Sequence, residues 1–351
     1  MTEGSGFTYR ESGVDVQAGN EAVRLLRERI RTVKHPLVLD GIGGFGGMMR
    51  MPPIKDAVLV AGADGAGTKS MIAREMGVYD TVGIDAVAMN VNDVSACGAV
   101  PFFVLDYLVV GKLIPERVAD IVSGVDEGCR RAECVLLGGE TGEHPGHFRN
   151  DDDFDIAAFA VGIASRDELW NPGKVADGDV IVGLSSTGVH SNGFSLVRHV
   201  LARRGIDLHE TFPGSDRSIG DVLLTPTAIY SPVLHDLGHA CPVHAAAHIT
   251  GGGFPDNVGR ALPDGLAAVL DLESWTLPPV FAWLREAGVD DAGLLGTFNC
   301  GIGMVVVLPA DQVDRALEVC AKRQTDARVV GEVVARAQAG EAVRYRGTLT
   351  A

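Results

Sequence analysis

The chain has 351 residues, of which 46% are hydrophobic and 22% are charged. This composition excludes a disordered chain, and the length favours about two domains, each with its own core. The formal net charge of −16 argues against nucleic acid and anionic membranes as partners, because both would repel the protein. A phosphate-bearing ligand would therefore need a local site of backbone N–H groups, a few cations or a metal ion.

The cysteines and the N-terminal segment bear on where the protein works. The six cysteines include no C-x-x-C pair and lie in apolar surroundings, which favours reduced, mostly buried thiols over disulfides or a zinc site. Segment 1–13 has no apolar signal core, and no uninterrupted apolar run is long enough to span a membrane. We therefore expect a cytoplasmic protein without a membrane span.

Helices and strands are interspersed along the first half of the chain. Asn20 is predicted to cap a first helix, because apolar residues follow it at helical spacing. Strands are predicted over residues 57–63, 101–110, 134–137 and 154–164, and helices over residues 80–99 and 115–132. This order indicates one mixed sheet with helices packed on it.

A polar, turn-rich segment at residues 167–179 is predicted to separate two domains, 1–170 and 171–351. Beyond it the pattern starts again. Strands are predicted over 180–184, 243–249, 301–308 and 328–334, and helices over 194–204, 279–287 and 310–322. The fold class is therefore α/β (α+β): an N-terminal domain with a mixed sheet and helices, and a C-terminal α+β domain.

Glycines cluster at residues 41–47, 62–67, 138–142 and 251–253, which indicates loops that let the backbone approach a ligand closely. The segment 62–69 (GADGAGTK) follows a predicted strand and leads into a helix. It is not a Walker A motif, because Thr68 precedes Lys69 where the order should be reversed. Close-approach glycines, a helix N-terminus and a lysine still favour a phosphate site. The alternative is a tight turn with a surface lysine.

Three carboxylates stand out. Asp93 lies in an otherwise apolar helix, where an unpaired charge is costly. Glu140 follows the strand predicted at 134–137, and ligands of α/β proteins bind at the carboxyl ends of strands. With Asp64, these side chains could converge as oxygen ligands of Mg²⁺. The alternative is that Asp93 is capped or faces solvent.

Two further loops combine polar side chains with glycine. Segment 190–193 (HSNG) lies between a strand and a helix, where it could bind an anion. A lone loop histidine is more often simply solvated, but Ser191 and Asn192 beside His190 favour a functional role. Segment 248–253 (HITGGG) repeats the arrangement of strand, loop and helix start. These patterns indicate a two-domain enzyme that binds a phosphorylated ligand.

Taken in order, the motifs resemble the phosphoribosylformylglycinamidine cyclo-ligase family of purine synthesis over nearly the whole chain. Each motif alone is weak, whereas nine in this order are specific. They are residues 9–20 (YRESGVDVQAGN), 41–47 (GIGGFGG), 64–69 (DGAGTK), 83–93 (GIDAVAMNVND), 103–107 (FVLDY), 138–143 (GGETGE), 190–198 (HSNGFSLVR), 248–254 (HITGGGF) and 298–304 (FNCGIGM).

The resemblance implies a homodimer whose N-terminal domains pair their sheets, with ATP in a cleft that runs to the interface. It implies ATP-dependent closure of the imidazole ring of formylglycinamidine ribonucleotide. By motif position it assigns the ATP phosphates to Gly65, Gly67, Thr68 and Lys69. It assigns Mg²⁺ to Asp64, Asp93 and Glu140.

The remaining implied roles concern substrate and catalysis. The resemblance places His190, Ser191 and Asn192 near the substrate or the transferred phosphate, with His190 as the proton-transfer group and Lys69 and Asn192 also catalytic. It implies that Gly251, Gly252 and Gly253 cradle the substrate phosphate.

One departure concerns Arg27, because family members can carry a lysine there and the two side chains reach differently. Two alternatives remain. One is another ATP-using enzyme of the wider superfamily, which includes thiamine-phosphate kinase and a hydrogenase maturation protein. The other is a catalytically silent nucleotide-binding dimer.

Overall fold

The structure is a computed structural model, and it describes residue 9 and residues 11–31, 34–40 and 44–351. Parts of two predicted motifs, Arg10 and residues 41–43, lie outside the described residues. Within the described part of the chain, no helix is both long and apolar enough to cross a membrane.

The N-terminal domain is a four-stranded sheet with α3 and α4 packed on one face. Its helices are α1 (Val16–Arg29), α2 (Lys69–Met76), α3 (Asp80–Ala96) and α4 (Pro115–Arg131). Its strands are β1 (Ala57–Gly65), β2 (Val100–Val110), β3 (Val135–Glu143) and β4 (Phe154–Ser165). The spatial order is β1-β4-β2-β3, in which only β2 and β3 are parallel.

Helix α3 is buried along almost its whole length, and its close packing against α4 depends on glycine. A Cβ at Gly83 would lie 2.2 Å from the carbonyl oxygen of Ile121, and a Cβ at Gly124 would lie 1.9 Å from that of Asp80. Both distances are too short for any side chain, so the two backbones can touch only because both residues are glycine. This packing fixes α3, the helix that carries Asp85 and Asp93.

The C-terminal domain surrounds a six-stranded sheet. Its helices are α5 (Phe194–Arg204), α6 (Ile219–Leu223), α7 (Ser231–Ala240), α8 (Gly253–Arg260), α9 (Pro279–Glu286), α10 (Asp291–Thr297) and α11 (Val313–Lys322). Its strands are β5 (Val180–Ser185), β6 (Ala245–His248), β7 (Leu266–Asp271), β8 (Ile302–Leu308), β9 (Ala327–Ala335) and β10 (Val343–Arg346). The order is β10-β7-β9-β5-β8-β6, and every pair is antiparallel except β10 with β7.

The α/β class and the two sheets confirm the sequence prediction, while several boundaries differ. The N-cap of α1 is Asp15, whose Oδ1 accepts hydrogen bonds from the N–H groups of Gln17 and Ala18. Asn20 therefore lies inside the helix, and its predicted capping role is wrong. Strand β3 continues through Glu143, so Glu140 lies within a strand rather than after its end. The domain boundary at residue 170 stays a prediction; β4 and β5 are joined by a segment with two short 3₁₀ turns.

A pair of glycine substitutions tests the packing of α3. Gly83→Ala should lower the free energy of unfolding by about 1–3 kcal/mol, because the new methyl group would overlap backbone atoms of α4 that cannot move aside. The matched control is Gly19→Ala in α1, where nothing lies within 4 Å of the added Cβ, and it should be stabilising by about 0.5–1 kcal/mol. Chemical denaturation measures both values. Equal effects of the two substitutions would contradict the close packing.

Candidate active site

The end of β1 and the loop that follows it present backbone groups toward solvent. Asp64 is exposed, and its Oδ1 accepts the N–H of Gly65 at 2.7 Å. Gly67 has a φ of +58° and nothing within 4 Å of its Cβ position, so the backbone is open to a ligand here. Thr68 precedes the first residue of α2. The loop therefore has the exposed backbone expected of a phosphate site.

Lys69 does not point into this open space. Its Nζ lies 2.7 Å from Oδ2 of Asp85, and its side chain has 0% exposure. The ammonium also donates to the carbonyl oxygens of His190 and Thr225, both at 2.9 Å. Burial lowers the pKa of Lys69, and the Asp85 carboxylate opposes that shift. Because its ammonium contacts Asp85, His190 and Thr225, this geometry favours a supporting role for Lys69, and its phosphate and catalytic role stays a prediction.

Asp85 also forms hydrogen bonds to a second segment of the C-terminal domain. Its Oδ1 accepts the backbone N–H of Thr227 at 2.8 Å and the Thr227 hydroxyl at 2.6 Å. The Lys69–Asp85 pair therefore joins two helices of the N-terminal domain to two loops of the C-terminal domain. A fully buried pair of this kind depends on both partners, because either charge alone would be left unpaired away from water.

His190 lies behind this junction rather than in the cleft. Its ring Nε2 accepts the N–H groups of Thr187 at 3.2 Å and Ala228 at 3.4 Å, which assigns the proton of the neutral ring to Nδ1. Burial holds the pKa of His190 well below its usual range, and the nearby His248 and Lys69 lower it further. With 1% exposure, the ring is a neutral support for its loop. Its Nδ1 is buried and has no hydrogen-bond partner among the described residues, and the proton-transfer role of His190 stays a prediction.

The rest of the segment 190–195 joins the two domains and leaves one side chain available. The Ser191 hydroxyl donates to the carbonyl oxygen of Ala66 at 2.9 Å, and the hydroxyls of Thr68 and Ser195 lie 3.3 Å apart. Asn192 is only half-buried, and its Oδ1 lies beside Gly251. Asn192 is therefore the member of the HSN motif best placed to reach a ligand, whereas Ser191 holds the loops together.

The loop 250–253 is held by Asn257, a residue that the sequence analysis did not single out. Its Nδ2 lies within hydrogen-bond distance of three carbonyl oxygens, those of Thr250 (3.3 Å), Gly251 (3.2 Å) and Gly253 (2.7 Å). Gly253 has a φ of +57°, and a Cβ there would lie 2.0 Å from the carbonyl oxygen of Leu295. The loop thus has one fixed shape, with Gly251 exposed at its tip.

Asp64 and Asp93 come together with His248. The Nδ1 of His248 lies 2.9 Å from Oδ1 of Asp93, while its Nε2 lies 3.4 Å from Nδ2 of Asn92. Partial burial raises the pKa of Asp64, and the charge of Asp93 raises it further. The hydrogen bond from the Gly65 N–H and the nearby His248 act in the opposite direction. The Asp93 side chain is 55% exposed. Two carboxylates that interact in this way are a donor set that Mg²⁺ can use. His248 belongs to the HITGGG motif, and its place at the carboxyl end of β6 was the sequence signal that it could take part in the site.

Glu140 does not join them, which corrects the expected three-carboxylate cluster. The register across the sheet runs from Asp64 to Ala158, then to Asp106, and then to Gly139, the residue before Glu140. Gly139 therefore lies three strand spacings, or about 14 Å, from Asp64. Glu140 also lies on the sheet face opposite α3 and α4, beside the exposed Tyr107. Among the described residues, no group of three or more His, Cys, Asp or Glu side chains could hold a metal ion.

Glu140 instead borders a cavity of about 750 Å³ between the sheet and α1. At its floor, burial raises the pKa of Asp106 to about 7, and the charge of Glu140 adds to the shift. Arg27 is exposed on α1, the helix that borders this cavity.

Both domains match known protein domains. Residues 47–164 match the profile described as AIR synthase related protein, N-terminal domain, and residues 176–343 match that of the C-terminal domain. The chain belongs to the AIR synthase related proteins. The resemblance found in the sequence is thereby confirmed at the level of this family.

Solved structures show how widely this fold is shared. A thiamine-monophosphate kinase from Stenotrophomonas maltophilia has a TM-score of 0.68 and 20% identity, covering 94% of this chain and 97% of its own. HypE, a hydrogenase maturation protein solved in complex with ATP, has a TM-score of 0.64 and 16% identity, covering 92% of this chain and 90% of its own. PurL from T. maritima, solved with AMPPCP, has a TM-score of 0.56 and 18% identity, covering 98% of this chain and 50% of its own. At these identities the likeness shows the fold alone.

Substitution of Lys69 tests whether the buried ion pair holds the domains of this AIR synthase related protein together. Lys69→Met should lower the free energy of unfolding by about 3–5 kcal/mol, because it leaves Asp85 buried without its partner. The matched control is Lys322→Met, which breaks an exposed pair with Glu318 and should cost no more than about 0.5 kcal/mol. Urea titrations of the two variants give the comparison, and a loss for Lys69→Met as small as that of the control would refute the role.

Proposed function

We propose that this protein closes the imidazole ring of formylglycinamidine ribonucleotide, using ATP, to give 5-aminoimidazole ribonucleotide. Phosphorylation of the formyl oxygen turns a poor leaving group into phosphate, and the amidine nitrogen then attacks the formyl carbon. The observation that carries the proposal is the meeting of three loops, 64–68, 190–195 and 250–253, around Asp64 and Asp93. These loops contain motifs by which the chain resembles the cyclo-ligases.

ATP is proposed as the second substrate because HypE was solved with ATP and PurL with AMPPCP on the same fold. In this chain the phosphates would lie against the backbone of Gly65, Gly67 and Thr68 at the start of α2, where Gly67 is exposed. The Gly65 N–H, which donates to Asp64 Oδ1, would then exchange that partner for a phosphate oxygen. Lys69 acts from behind the loop: its ion pair with Asp85 fixes the backbone in one conformation. A fixed loop is a better phosphate site, since less ordering is required when the ligand binds.

Asp64 and Asp93 are proposed to hold Mg²⁺. Their donor set fits, because Mg²⁺ in nucleotide sites commonly takes one or two carboxylates and completes its shell with phosphate and water. When bound, the ion would neutralise phosphate charge, which a protein with a net charge of −16 needs locally. His248 orients Asp93 through the 2.9 Å contact between Nδ1 and Oδ1. Asn92 faces the other ring nitrogen and thereby fixes the orientation of the imidazole.

The phosphorylated substrate is proposed to bind between Asn192 and the loop 251–253. Gly251 is exposed at the loop tip, and the Asn192 amide lies next to it. A fixed glycine loop presents backbone N–H groups to an anion, and an amide side chain can donate or accept. Asn192 is therefore proposed as the catalytic residue of the HSN motif, with His190 and Ser191 as positioning residues.

We propose that the protein is a homodimer paired through the open face of the N-terminal sheet. Within the described residues this face carries exposed apolar side chains: Leu59 is 60% exposed and Phe159 is 44% exposed, with Leu105 and Tyr107 on the same face. A contiguous apolar patch in a soluble protein commonly marks an interface. The same face borders the cavity that contains Glu140, so a partner would cover that cavity.

The cytoplasm is proposed as the compartment. All six cysteines are free, and five of them are buried. Free thiols are typical of proteins that work where disulfides are kept reduced.

A phosphotransfer reaction on another acceptor is the second candidate. The thiamine-monophosphate kinase superposes over 94% of this chain, and its TM-score is higher than those of HypE and PurL reported above. A kinase would need the same phosphate loop and carboxylates, and would differ in the acceptor pocket. A silent nucleotide-binding dimer is the third. Turnover with each acceptor separates all three.

The decisive assay measures ADP release with Mg²⁺–ATP in the presence and absence of formylglycinamidine ribonucleotide, with mass detection of aminoimidazole ribonucleotide. We expect ADP and product in equal amounts, and only with that substrate. Asp93→Asn should lower kcat/KM by roughly 100-fold or more, because one metal-binding charge is lost. Asp311→Asn, an exposed aspartate outside the site, is the matched control. ADP without cyclised product, or turnover with thiamine monophosphate instead, would reject the cyclo-ligase proposal.

The dimer is tested by placing a charge on the open face. Wild-type protein should have twice the 36.9 kDa chain mass by light scattering, and Phe159→Glu should shift it to the mass of one chain. Val329→Glu, at a residue that is 42% exposed on the other sheet, is the control and should leave the dimer intact. A monomeric wild type, or a dimer that survives Phe159→Glu, would show that this face is not the interface.

A further inference from the structure

Two histidines at the end of α7 form a cluster that the proposed reaction does not use. His235 and His239 are one helical turn apart, so their side chains lie on the same face of the helix. Their Nε2 atoms are 2.9 Å apart, and the two rings meet edge to face with centroids separated by 4.5 Å. Both border a cavity of about 750 Å³ between the domains, which also contains Glu133 and Lys174. Both side chains are exposed.

The two rings share one close contact between their Nε2 atoms. At 2.9 Å this is a hydrogen bond when one neutral ring carries its proton on Nε2 and the other on Nδ1, so a metal ion would take the place of that proton. The pair lies in the last two turns of α7, where the unpaired carbonyl groups of the helix favour a cation. A shared proton or a metal ion would satisfy both nitrogens.

Charged side chains of both signs surround the pair. Asp236 Oδ1 lies 3.9 Å from Nδ1 of His235, and Glu133 lies nearby. Arg323 is paired with both carboxylates. Burial lowers the pKa of His235, followed by the effect of His239, while Asp236 and Glu133 act in the opposite direction.

We propose that His235 and His239 bind a divalent transition-metal ion through their two Nε2 atoms. Nitrogens this close are within reach of one ion that bonds to each of them at about 2.05 Å. Imidazole suits Cu²⁺, Ni²⁺ and Zn²⁺, and Cu²⁺ is expected to bind most tightly of the three. The other coordination positions face the cavity and are open to water or a small-molecule donor.

The site would act on the helix that carries it. A metal bridging two residues one turn apart restrains the end of α7, and binding to the folded form alone raises the melting temperature. The residues just before α7 contact the candidate active site: Thr227 bonds Asp85, and the N–H of Tyr230 bonds Oδ1 of Asn92. The metal site is nevertheless distinct from Asp64 and Asp93, so its failure would leave the proposed reaction untouched.

The experiment uses full-length protein without a histidine tag and Cu²⁺ as the probe. Calorimetric titration should show one equivalent of Cu²⁺, and the electron paramagnetic resonance spectrum should show coupling to two imidazole nitrogens. His239→Asn should weaken binding at least ~10-fold and leave coupling to one nitrogen at most. Ni²⁺ should raise the Tm of the wild type and not that of His239→Asn.

His209→Asn is the matched control, because His209 is exposed in a loop away from α7. It should bind Cu²⁺ as the wild type does. The double variant His235→Asn/His239→Asn keeps a second pair of adjacent histidines, His144 and His147, which lies outside α7. Its Cu²⁺ binding therefore measures the background. Failure of the wild type to bind Cu²⁺ would overturn the proposal, since the pair would then share only a proton. Equal binding by the wild type and the double variant would overturn it as well.

Discussion

The ion pair between Lys69 and Asp85 connects the parts of the molecule on which the candidate site depends. Neither side chain has exposed surface, and together they bond to segments on both sides of the domain junction. Such a pair contributes little net stability relative to an apolar core, but removing one partner is costly. Its value here is geometric: it holds the loop at 64–68 against the loop at 190–195. Two loops from different domains then form one surface.

The N-terminal sheet keeps two tasks apart by using its two faces. One face is covered by α3 and α4, and at its edge Asp64 approaches Asp93 on α3. The other face carries Leu59, Phe159 and Glu140, which remain open within one chain. Alternation along each strand produces this separation, since neighbouring residues point to opposite faces. The carboxylates near the phosphate loop and the apolar surface proposed for dimerisation can therefore vary independently.

Buried polar side chains determine the shape of each loop in the site. His190, Ser191 and Asn257 use their hydrogen bonds to hold backbone, and they leave Asn192 and Gly251 facing the cleft. Groups that must meet a ligand need a rigid support, because a small displacement weakens a charge-dependent contact. Polar residues near a ligand site thus divide into those that touch the ligand and those that hold the residues that do.

Local patterns in the sequence determined many of the elements, the α/β class, the glycine-rich loops and the candidate residues Asp64, Asp93 and Asn192, but they missed β7, β10, α6, α7 and α10. These features follow from side-chain periodicity and from residue types that favour turns, both of which act over a few neighbours. Only the tertiary structure decided that Lys69 and His190 are buried and that His248 meets Asp93. It also decided that Glu140 lies on the far face of the sheet, about 14 Å from Asp64. Strand order and the side of the sheet on which a residue lies are set by pairing between distant segments, and no local pattern encodes that pairing.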